Sequence, residues 1–158
     1  MSVKEPDLAG PAARNLEKPL NVQLSNWAVA YIKLHHCHWF VKGPEFQSLH
    51  AKFEELYDWA AEKLDELAER MLAIGLRPAS TLKEYMSLAE IRESGDPSES
   101  ATKMLEGAAS DFGTMAKGLK AAAETAERNG DSATADVLNG QIEELEKQIW
   151  MLKATLSK

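Results

Sequence analysis

The chain has 158 residues, 44% of them hydrophobic, and its 25 acidic residues outnumber 18 basic ones to give a formal charge of −7. That length suits one domain with a sizeable core, and the negative balance repels polyanions at long range while favouring cations. The single cysteine, Cys37, excludes an internal disulfide framework and fits a reducing cytoplasm; with no apolar run near about 18 residues and no leader pattern, the sequence reads as soluble, cytoplasmic and free of membrane contact.

Residues 1–19 contain Pro6, Gly10, Pro11 and Pro19 with little periodic apolar content, which predicts a flexible N-terminal tail ahead of a domain over 20–158. Lys4, Arg14 and Lys18 are offset there by Glu5, Asp7 and Glu17. From residue 20 to about 41, Leu20, Leu24, Trp27, Tyr31 and Leu34 recur at helical steps, and Gly43 and Pro44 end the helix. A second helix is predicted over 46–75, stopped by Gly75 and Pro78. The connector that follows, about 79–97, carries a short amphipathic segment at 81–89. A third helix is expected from an N-cap at Asp96 or Ser98 to the stop at Asn129 and Gly130. Asp131 or Ser132 then caps a fourth helix bearing Val137, Ile142, Leu145, Ile149, Leu152 and Leu156. No segment reads as a strand. Four long helices with one long connection between the second and third predict an all-α, ferritin-like four-helix bundle with a short helix in that connection.

The most specific signal is the set His38, His50, Glu54, Asp65 and Glu69. On a wheel of about 100° per residue with His50 at zero, Glu54, Asp65, Asp58 and Glu69 fall at roughly 40°, 60°, 80° and 100°. The apolar positions Leu49, Phe53, Leu56, Ala60, Leu64, Leu67, Met71 and Ile74 fall between roughly −120° and −40°. The acidic stripe therefore lies about 130° from the stripe that faces the core, and a metal site built on it has to be closed by something outside the bundle. Singly, each acid reads as ordinary surface charge, and His50 reads equally as a histidine satisfied by a backbone carbonyl. Jointly, the positions carry only oxygen and imidazole nitrogen donors, which suit iron or manganese, and zinc less exclusively.

The run His35-His36-Cys37-His38 is a poor zinc motif. Neighbouring helical residues diverge by about 100°, so only His35 and His38 look the same way, and Cys37 lacks partner thiols. No Glu-x-x-His occurs in the chain, which argues against a di-iron site inside the bundle.

The segments HWFVKGPEFQSLHAKFEELY (38–57), DELAER (65–70), ATAD (133–136) and QIWML (148–152) closely resemble the Dps miniferritins, the DNA-binding proteins from starved cells, and the resemblance covers nearly everything after the tail. It implies a hollow homododecamer with di-iron ferroxidase centres between two-fold related subunits: His38, His50 and Glu54 from one subunit, Asp65 and Glu69 from the other. The family often has aspartate where this chain has Glu54. The implied activity is oxidation of Fe(II), preferably by hydrogen peroxide, with Fe(III) mineral stored in the cavity and protection against oxidative stress. Trp39 matches a tryptophan that either supplies an electron or anchors the interface. Asp131 and Asp136 match acids lining a three-fold iron-entry pore, and Asp131 also reads as an N-cap. Glu55, Asp58 and Glu62 are candidates for an acidic inner wall that nucleates mineral, although each by itself reads as ordinary surface charge. The alternative function, a nucleoid-binding shell, needs clustered cations against phosphate; the near-neutral tail predicts little or no DNA binding.

Overall fold

The computed structural model describes residues 10–157. Six helices follow one another: α1 (Pro11–Arg14), α2 (Glu17–Phe40), α3 (Phe46–Ala73), α4 (Leu82–Leu88), α5 (Ala101–Arg128) and α6 (Ser132–Leu156). Among the described residues there is no strand. Short turns join α2 to α3 and α5 to α6, so each pair is a hairpin, and the residues between α3 and α5 cross over to connect the two. The hairpins close on one core in which Trp27, Phe53, Phe112, Leu56, Met115 and Leu119 are fully enclosed.

Part of the expected tail is ordered structure. Residues 1–9 lie outside the described residues, but Pro11 opens α1 and Pro19 sits in the first turn of α2. Proline is tolerated there because the first helical N–H groups have no intrahelical acceptor. Leu16, between the two, is completely buried, and the Asn129 Nδ2 donates to the Ala12 carbonyl at 2.7 Å and to the Asn15 Oδ1 at 2.8 Å. This segment therefore packs on the far end of α5.

Helix α3 stops at a Schellman turn: Gly75 has φ +82°, its N–H bonds the Leu72 carbonyl at 3.0 Å, and the Leu76 N–H reaches the Met71 carbonyl at 2.8 Å. The α5–α6 turn repeats the device with Gly130 at φ +75°. There the Asp131 N–H bonds the Ala126 carbonyl at 2.9 Å, while its side chain caps α6. The short connection helix α4 lies inside the expected 81–89, with Thr81 and Glu84 forming a capping box. The N-cap of α5 is Ser100 rather than Asp96 or Ser98. Asp96 instead accepts the Ser98 N–H at 2.9 Å and hydroxyl at 2.6 Å, a turn set by the intervening Pro97.

The crossover is held by amide side chains of α2. Asn21 accepts the Ala79 N–H at 2.7 Å and donates to the Arg77 carbonyl at 3.1 Å. Asn26 accepts the Glu90 N–H at 2.7 Å, and Asn26 and Gln23 both donate to the Glu90 carboxylate at 3.2 Å. Buried polar side chains of this kind are stable only when so partnered, and they explain why α2 is buried on more than one face. Trp27, also of α2, reaches the opposite hairpin, where its indole N–H donates to the Gln141 Oε1 of α6 at 2.9 Å.

Candidate metal centre

The turn between α2 and α3 brings His38, in the last turn of α2, against His50, in the second turn of α3. Their rings stack with centroids 3.7 Å apart and 14° between planes. Each Nδ1 lies 2.7 Å from the main-chain oxygen of the other residue. A carbonyl only accepts, so both Nδ1 atoms carry the proton and both Nε2 lone pairs stay available. The His50 ring also serves α2, since the His38 carbonyl is among the orphan acceptors at that helix end. His38 is buried and His50 partly so.

Glu54 stands one turn beyond His50 on α3 and is exposed. Its Oε1 accepts the Tyr57 hydroxyl at 3.3 Å. Desolvation, and then the Glu54 carboxylate, raise the Tyr57 pKa and keep the phenol a donor. Tyr57 packs edge-on to His38 at 5.3 Å and face to face on His35 at 3.7 Å and 16°. The His35 Nδ1 is held 2.9 Å from the Tyr31 carbonyl. His35 and His38 thus share the face that their spacing predicts, while His36 turns away to the Asp96 carbonyl at 3.3 Å. Trp39 is 66% exposed, with its ring 5.3 Å from His35.

Asp65 and Glu69 are exposed on the same helix, 15 and 19 residues beyond His50. At about 1.5 Å per residue they lie about 22 and 28 Å along α3, far outside one coordination sphere. Among the described residues no three metal-capable side chains of the chain converge. The candidate donors therefore fall into two separate groups, His38, His50 and Glu54 near one end of α3 and Asp65 with Glu69 near the other. Both stand on the outward stripe, opposite the buried Leu49, Phe53, Leu56, Ala60, Leu67 and Met71.

Asp131 is committed within the chain. Its carboxylate accepts the Thr134 N–H at 3.0 Å and pairs with Arg70 at 3.3 Å. Partial burial pushes its pKa up, but the Thr134 bonds and the Arg70 guanidinium outweigh this and hold it below the ordinary value. Asp136 is exposed in the second turn of α6. Glu55 pairs with Lys52 at 3.3 Å, and Asp58 and Glu62 are exposed on α3. Tyr57 is the neighbour that donor spacing alone passes over. The signal was present in the wheel, where Tyr57 falls at roughly −20°, between the core stripe and His50.

With this geometry in view, the chain compares closely with known proteins. The family model of a ferritin-like domain matches residues 17–158. DNA protection during starvation protein 2 of Bacillus anthracis is 46% identical over 139 residues, 88% of this chain and 94% of that protein. The crystal structure of Dps from Staphylococcus aureus superposes with a TM-score of 0.89 at 44% identity, covering 92% of this chain and 97% of that one. Dps from Vibrio cholerae O1, described as a member of a broad superfamily of ferritin-like diiron-carboxylate proteins, gives a TM-score of 0.89 at 36% identity over 92% of this chain and 91% of its own.

Proposed function

The chain belongs to the Dps miniferritins of the ferritin-like family, and on that footing we propose that it is an iron-storing ferroxidase whose centres form between two copies. The stacked histidine pair is the observation that carries this reading: each imidazole is locked in the tautomer that leaves Nε2 free, as metal-ligating histidines are. His38, His50 and Glu54 of one copy face Asp65 and Glu69 of a two-fold partner, and the shell is a homododecamer in the cytoplasm.

Ferrous iron is the substrate. Imidazole and carboxylate donors suit it, and the carboxylates stabilise the charge gained as each ion loses an electron. Two ferrous ions give one electron each to hydrogen peroxide, whose O–O bond breaks; with two protons taken up, two waters form. Consuming ferrous iron and peroxide together removes both reactants of hydroxyl-radical formation. Trp39, exposed beside His35, is positioned either to supply an electron or to seal the seam. Glu55, Asp58 and Glu62 would hold ferric mineral inside. Asp136 would draw cations through the pore, and Asp131, paired to Arg70, would shape that pore more than charge it.

Relatives named for DNA protection support a second reading, a shell that covers the nucleoid. The net charge of −7 and the offset cations of residues 1–19 weigh against it. A mobility-shift assay at low salt is expected to leave DNA free, and tight retention would favour the second reading. The test of the first is the variant combining His38→Ala, Asp65→Asn and Glu69→Gln, which should reduce peroxide-dependent ferrous oxidation to the uncatalysed rate. Oxidation that survives those changes contradicts the site.

A further inference from the structure

Of the three donors in the histidine half-site, Glu54 alone lacks a backbone anchor. A glutamate on an exposed helix face samples many rotamers, and ordering it at the moment of metal binding would weaken affinity. Here its Oε1 accepts the Tyr57 hydroxyl, and Tyr57 is itself fixed on three sides. His35 stacks on one face at 3.7 Å, His38 abuts at 5.3 Å, and Tyr31 lies edge-on at 6.3 Å. His35 is anchored in turn through Nδ1 to the Tyr31 carbonyl at 2.9 Å.

We propose that Tyr57 is the positioning residue of the centre, its hydroxyl holding Glu54 beside His38 and His50, and that His35 is the flat platform that holds Tyr57 rather than a metal ligand. This rests on the reading of these histidines as a metal half-site. The phenol suits the task because it donates one hydrogen bond to one carboxylate oxygen. The second oxygen and the full negative charge remain for the cation. The arrangement matters for this chain because the glutamate arm has one more rotatable bond than aspartate and so needs a fixed partner to be preorganised.

The test is cobalt(II) titration of the assembled protein, followed by its visible absorption, with His38→Ala as the control that assigns the signal to this site. Tyr57→Phe keeps the ring stack and removes the hydroxyl, so it should weaken cobalt affinity about five- to tenfold with an unchanged melting temperature. Glu54→Ala should weaken it at least as much, and adding Tyr57→Phe to Glu54→Ala should cost nothing more. His35→Ala should lose affinity that His35→Phe, which restores a stacking face, recovers. Equal affinity in Tyr57→Phe, or an equal further loss in the Glu54→Ala background, would overturn the role of Tyr57. A His35→Phe protein as weak as His35→Ala would overturn the platform. Wild-type protein that binds no cobalt through His38 would instead remove the metal-site reading itself, an outcome distinct from a wild-type site that binds while Tyr57→Phe is silent.

Discussion

Whether an imidazole can take a metal depends on what its other nitrogen does, and for His38 and His50 that nitrogen is spent on a carbonyl. Donor spacing singled out these two residues and Glu54 in the sequence, and the fold brings the two histidines into contact. The reciprocal main-chain bonds were not legible, because they depend on how the 41–45 turn juxtaposes two helices. Cys37 shows the opposite outcome for a side chain in the same stretch. Burial first, then the nearby Glu99 carboxylate, raise its thiol from 9.0 to about 12, so the nucleophilic thiolate is suppressed. The folded state keeps a proton that the unfolded chain releases above pH 9.0. The stability this contributes is complete below that pH and declines as pH rises toward 12. Iodoacetamide at pH 8 should therefore leave native Cys37 unmodified while alkylating it fully in guanidinium; equal rates in the two conditions would contradict its burial.

The four long helices were readable from apolar periodicity and from Gly43, Gly75 and Gly130, because a residue able to adopt positive φ marks where a helix can turn back. The start of α2 and all of α1 were missed since Pro11 and Pro19 look like breakers in a sequence yet are harmless in a first turn. Close approach between elements was also hidden. A Cβ on Gly118 of α5 would collide with the Gln23 side-chain amide, and that amide is tied to Glu90. Gly118→Ala should destabilise the fold by about 1–3 kcal/mol despite alanine's better helix propensity. Gly107→Ala on the same helix meets nothing within 4 Å and should stabilise by about 0.5–1 kcal/mol. Chemical denaturation of the pair checks this, and a Gly118→Ala protein as stabilised as Gly107→Ala would contradict the packing assigned to Gln23.

At the scale of the molecule, the chain leaves large apolar side chains uncovered. Ile32, Leu82 and Met86 line a groove between α2 and α4, with Leu82 78% exposed, and Trp39 and Phe46 stand beside the histidines. Exposed apolar groups such as those of this groove mark interaction surfaces, and the proposed shell assigns the groove to a second copy. Leu82→Lys with Met86→Lys alters exposed positions of a helix that buries no residue. The pair should keep the helical circular-dichroism signal, shift sedimentation to small species and lose peroxide-dependent oxidation. A full-size shell would contradict that assignment.

In the proposed shell, nitrogen and carboxylate half-sites meet across two copies, and subunit complementation measures that meeting. One variant carries His38→Ala and His50→Ala, the other Asp65→Asn and Glu69→Gln, and each alone should be inactive in ferrous oxidation with peroxide. Co-expressed at equal levels, they pair at random; each mixed two-fold pair holds one intact centre and one without any of the four side chains. About a quarter of wild-type activity should therefore return. A mixture as inactive as its parents would contradict a centre shared between chains.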